Sequence, residues 1–161
     1  MSRLLPSSAS AAAFVLLMAG LTGCGASSPL GHCLPGGAPG VKAADLAGTY
    51  QGRHEAKGTA MTLVPVPDRN GGTMTVENWP TGDHYRAELG DTFKGSGTWE
   101  VDEPMSTQHG PLVHLYFTRP HDWMSGDTVD LLTVAGDSTR TVLYEDADPD
   151  ICPDFRLDRA T

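Results

Sequence analysis

The chain has 161 residues, with 20 acidic against 11 basic side chains and a net charge of −9. That balance argues against a nucleic-acid partner, which would want a basic face. It also argues against a body drawn to an anionic leaflet by charge.

The first residues are ordered as an export signal. Arg3 and the free amine give a short positive start. Residues Ala9 to Leu21 carry no charge, and the run closes on Leu21-Thr22-Gly23-Cys24. This ending resembles the bacterial lipobox, with a branched apolar residue three positions before a cysteine and small residues between. Small side chains let an extended backbone enter a peptidase, and the thiol takes the lipid. A membrane-spanning helix would need about 20 apolar residues. This segment is shorter, and Gly20, Gly23 and Gly25 weaken its end. An ordinary signal peptide with Cys24 free by chance is the other reading. The expectation is that residues 1–23 are removed and Cys24 is lipidated. The product is then a lipoprotein held on the extracytoplasmic face of the cell membrane, anchored but not spanning. All 20 acidic residues follow Cys24, so what remains is an acidic body of single-domain size.

With Cys24 assigned to lipid, Cys33 and Cys152 are left as an even pair, and an oxidising compartment favours a disulfide between them over two free thiols. Closing so long a loop adds about 4 kcal/mol in the chain-entropy picture. Metal binding has little support, because two distant cysteines and six scattered histidines show no ligand spacing.

Gly25 to Gly40 is rich in Gly, Ala, Ser and Pro and reads as a flexible tether. The expected layout is signal peptide 1–23, lipidated tether 24–44 and β domain 45–161. Val41 to Leu46 suits one helical turn.

After residue 46 the hydrophobic period is mostly two rather than 3.6. Met61-Thr62-Leu63, Met74-Thr75-Val76, Trp99-Glu100-Val101 and Phe155-Arg156-Leu157 alternate. Leu112 to Thr118 is apolar on both faces. Thr128 to Val134 and Thr141 to Tyr144 are rich in the Thr, Val and Leu that strands favour. Turn residues such as Asp68-Arg69-Asn70-Gly71-Gly72 and Gly136-Asp137-Ser138 separate these runs. The connections are too short for parallel crossovers. The expectation is an all-β, single antiparallel up-and-down meander of about seven to nine strands, closed into a small barrel because closure removes the edges. A barrel brings first and last strands together, so a Cys33–Cys152 staple makes sense. Cys152 precedes the last strand, however, so the chain from Cys33 to Asp45 has to cross the barrel. Extended, it reaches about 40 Å, which is enough.

Asp45-Leu46-Ala47-Gly48-Thr49-Tyr50, Gly95-Ser96-Gly97-Thr98-Trp99, and Leu143 to Asp150 followed by Phe155-Arg156-Leu157-Asp158-Arg159 together resemble small actinobacterial lipoproteins. The wider structural comparison is with lipocalin-like and avidin-like barrels. Tyr50 stands where such proteins carry Trp. The resemblance implies a lipocalin-like barrel and transfers no catalytic residues.

Candidate chemistry is sparse. Glu145 to Asp150 is acidic enough to gather a hard cation, but it lacks the Gly and closing Glu of an EF-hand loop, and a solvated turn explains it. His114 alternates with Leu112 and Tyr116, which would turn it inward. It is read as a buried, hydrogen-bonded histidine, with metal or proton chemistry as the alternative. No Gly-x-Ser-x-Gly elbow is present, and with 20 acidic residues a carboxylate pair arises by chance. Trp99 reads as core. Trp79 and Trp123 read as loop aromatics that either form a ligand rim at the barrel mouth or cap its ends. The expected function is a non-enzymatic binding module for a small apolar ligand or an envelope protein, without cofactor or metal, with Trp79, Trp123, His114 and Tyr116 as candidate contacts. The alternative is a structural or interaction lipoprotein of the envelope, with a filled core and no ligand.

Overall fold

The computed structural model describes residues 32–38, 40–102, 110–120, 125–137, 141–146, 148 and 151–161. Cys24 and Trp123 lie outside them. Eight antiparallel strands form a closed barrel in simple chain order: β1 (Gly48–His54), β2 (Ala60–Pro65), β3 (Gly71–Pro80), β4 (Thr92–Asp102), β5 (Leu112–Arg119), β6 (Leu131–Ala135), β7 (Val142–Tyr144) and β8 (Phe155–Arg159). β8 returns to β1, with His54 opposite Phe155 and Tyr50 opposite Arg159. The expected meander is therefore the fold. A 3-10 turn (Ala43–Leu46) precedes β1, and a single α-helical turn, α1 (Arg86–Leu89), joins β3 to β4.

The alternating residues fill the interior. Tyr50, Met61, Leu63, Met74, Val76, Trp79, Trp99, Val113, Leu132, Leu143 and Leu157 are all essentially inaccessible, and Phe93, Leu115, Phe117 and Val134 join the same cluster. At one end the turn before β1 drops Leu46 into the core, and the Tyr50 hydroxyl donates to the Leu46 carbonyl at 3.0 Å. At the other end Trp79 packs on Phe155 (5.2 Å, edge-on) and Phe117 (6.0 Å). The buried side chains thus form one continuous cluster, with Tyr50 toward one mouth and Trp79 toward the other.

The segment after Cys33 crosses the barrel on the outside. Leu34 packs with Ala135, Val142 and Tyr144, which point outward from β6 and β7 yet are buried beneath it. The crossing is fixed by a backbone bridge from Gly37 to Ala135, and Gly136 N–H donates to the Gly36 carbonyl at 2.6 Å. Arg156, on the outer face of β8, donates to the Cys33 carbonyl. Residues 33–38 are therefore a strap on the barrel wall, running from the mouth where β8 begins toward the mouth where β1 begins. Cys33 and Cys152 stand at disulfide distance, with Cα atoms 5.8 Å apart.

Candidate functional site

A cleft of about 450 Å³ lies at the mouth where β1 and β3 end and β4 and β8 begin. Two connections and a strand end meet there: 55–59 between β1 and β2, the loop before β8, and the end of β3.

Local sequence sets this shape. The 55–59 turn folds back on β1 through bonds from Ala56 N–H to the Arg53 carbonyl and from Thr59 N–H to the Ala56 carbonyl. Gly52 permits the reversal, because a Cβ there would lie 1.7 Å from the Ala56 carbonyl oxygen. The turn is then tied to β3. The Asn78 side chain donates to the Gly58 carbonyl at 3.0 Å, and the Thr59 hydroxyl donates to the Asn78 carbonyl at 2.9 Å. Asn78 has φ +51, a left-handed conformation that Asn tolerates better than most residues. It sits in a register break between Val76 and Trp79. Glu77 and Asn78 both face out, so the break reverses the phase of the strand and turns Trp79 inward.

Trp79 therefore lies under the cleft rather than on its rim. It has no accessible surface, and its indole N–H donates to the Val129 carbonyl at 3.0 Å. The loop placement is corrected, since Trp79 belongs to β3; of the two sequence readings, rim or cap, its buried position fits the cap. A buried indole needs a partner for its N–H, and the segment before β6 supplies it. Above this plug, Phe155, Val129 and Pro80 give an apolar floor, and Ile151 stands 56 % exposed at the lip. The walls bear Glu55, Glu145, Asp148 and Asp154 against Lys57. Burial pushes the Glu145 carboxyl above its usual range, and the nearby charge of Asp130 pushes the same way. Such a surface offers carboxylate acceptors around an apolar floor, which suits a ligand carrying positive charge on an apolar stem.

His114 and Tyr116 are placed elsewhere. Val113, Leu115 and Phe117 take the inward positions of β5, so His114 and Tyr116 face solvent. This corrects the inward reading of His114. The run is apolar on both faces, so parity alone could not choose a side. The two rings stack at 6.3 Å on the outer wall, and His114 Nε2 lies 3.1 Å from the Asp102 carboxylate. They are wall residues, not cleft residues.

Sequence reasoning reached Glu145 and Asp148 through the acidic run but missed Glu55, Lys57 and Asp154. These belong to connections far apart in sequence, and no local pattern joins them. Among the described residues, the metal-ligating groups that converge are His32, Cys33 and Cys152, not the acidic run. Compared with protein-family models, with curated proteins and with solved structures, the chain matches none.

Proposed function

We propose that this protein is a lipid-anchored, extracytoplasmic binding module without enzymatic activity, and that it engages a basic, partly apolar segment of an envelope protein at the acidic cleft. The observation that carries this reading is the contrast between a barrel filled with side chains and an open cleft at its mouth. Because Tyr50, Trp79 and Trp99 fill the core, this reading puts binding at the mouth rather than in the interior. Four carboxylates against one lysine favour cations, and fixed charge of one sign speeds encounter with the opposite one. The Cys24 motif supplies the anchor, and the acidic body stands off an anionic leaflet.

The test has two arms. Metabolic labelling with a fatty acid should mark the wild-type chain and leave a Cys24→Ser variant unlabelled. Titration with a short Lys/Arg and Leu peptide should show saturable binding that falls about tenfold or more in a Glu145→Gln/Asp154→Asn variant, the scale of a lost charged contact. Equal binding by wild type and variant would remove the cleft from the mechanism. The filled core would then favour the purely structural role.

A further inference from the structure

Beside the cleft, the strap brings a third potential ligand to the cysteine pair. His32 Nε2 lies 3.4 Å from Cys152 Sγ, and the ligand atoms of His32, Cys33 and Cys152 all fall within 4.8 Å of one another. We propose that these three residues are a thiophilic metal site, open when the cysteines are reduced and closed when they form a disulfide.

The geometry supports this on three counts. In a tetrahedral zinc centre, sulfur and nitrogen ligands sit about 3.5–3.8 Å apart, given Zn–S near 2.3 Å and Zn–N near 2.0 Å. The His32–Cys152 separation already matches that spacing, and the two sulfurs need only move apart. The backbone on both sides is held independently of the sulfur atoms. Leu34 is buried on β6 and β7, Arg156 grips the Cys33 carbonyl, and Cys152 leads into β8 three residues before Phe155. Reduction therefore leaves both thiols near His32. Finally, Cys152 lines the cleft, so a fourth coordination position opens onto solvent there.

The chemistry balances. A dithiol donor attacks the Cys33–Cys152 bond, passes two electrons to it and leaves as its own disulfide. The protein gains two thiols. A divalent cation such as Zn2+ then binds two thiolates and the neutral imidazole, releasing two protons. Disulfide and metal are alternative occupants of the same sulfurs, so each excludes the other.

The full chain, reduced with a water-soluble phosphine that leaves as its oxide, is titrated with Co2+ as a spectroscopic probe for Zn2+. One Co2+ should bind per chain with a thiolate-to-cobalt charge-transfer band, and Zn2+ should displace it. The oxidised chain should show no such band. His32→Ala should bind at least about tenfold more weakly, and Cys33→Ser/Cys152→Ser should not bind. Bound Zn2+ should slow re-oxidation of the thiols. The proposal falls if the reduced chain binds no better than the double serine variant, or if His32→Ala binds as well as wild type. It falls also if the reduced chain loses the near-UV signal of its packed tryptophans, because the site needs the barrel to keep Cys152 beside the strap.

Discussion

The guanidinium of Arg159 lies against Gly48: a Cβ added at Gly48 would sit 3.2 Å from Arg159 Nε. Arg159 also donates to the Asp45 carbonyl at 3.0 Å and to the Ala47 carbonyl. One side chain of β8 thus satisfies the carbonyls of the turn that leads into β1 and closes that mouth of the barrel. Gly48 has φ +142, a conformation that side chains rarely adopt. Gly48→Ala should therefore lower stability by about 1–3 kcal/mol through backbone strain and displacement of Arg159, read as a drop in denaturant midpoint at unchanged slope. A midpoint equal to wild type would show that the turn relaxes freely.

Trp79 separates a plug from a rim. If it closes the barrel as placed, Trp79→Ala should cost about 3–5 kcal/mol, the range for a buried aromatic cut to Ala. A rim tryptophan would cost a small fraction of that. Thermal or denaturant unfolding followed by far-UV circular dichroism measures the difference.

Tyr50 links the core to alkaline pH. Burial is the main cause that pushes its hydroxyl up to about 12, with the Arg159 charge pulling weakly the other way. The unfolded hydroxyl ionises near 10, so between pH 10 and 12 the folded chain binds the extra proton. The stability this group supplies is complete below pH 10 and is lost as pH rises through 12, on the order of 2–3 kcal/mol. Tyrosinate absorbance should show a late-ionising tyrosine that vanishes in Tyr50→Phe. That variant should also lose the steep alkaline fall in stability. An unchanged fall would assign it to other groups.

Glu145 carries the same sign of linkage in the carboxylate range. Its raised pKa means that the folded chain holds this proton more tightly than the unfolded chain does. Its contribution is present in full below the unfolded value and is lost as pH rises through the folded one. Glu145→Gln should raise the melting temperature at pH 7 and leave it nearly unchanged at pH 4. A bound cation would offset the same repulsion, so the melting difference should shrink when a basic peptide fills the cleft.

The fold was largely legible in the residues. Met61/Leu63, Trp99/Val101 and Phe155/Leu157 alternate cleanly, and each pair points inward as period two requires. The outer faces were harder. Ala135, Val142 and Tyr144 are buried from outside by the strap, so β6 and β7 read as apolar on both sides. Trp79 reads as a loop residue because Pro80 follows it, whereas β3 runs on through a register break at Glu77 and Asn78 and turns the ring inward. The cleft was illegible for a related reason. Its walls come from connections more than 80 residues apart that only barrel closure brings together.

The pairing of Cys33 with Cys152 can be tested by removal. Cys33→Ser/Cys152→Ser should lower stability by about 2–5 kcal/mol, as expected for a link closing a long loop. Limited proteolysis should still spare 33–38, since Leu34, the Gly37–Ala135 bridge and Arg156 hold the strap without the sulfurs. Early cleavage within 33–38 would mean that the strap needs the disulfide to stay docked.

Joined by sulfur, residues 33 and 152 also redirect mechanical load. A pull applied upstream of Cys33 and resisted downstream of Cys152 would travel through the S–S link and along β8 alone. The chain between them, spanning a sequence separation of 119, forms a closed ring that such tension cannot stretch. In a force spectrometer the oxidised chain should lengthen only by the short run past Cys152. The reduced chain should release the whole barrel, a difference in contour of about 400 Å at about 3.4 Å per residue.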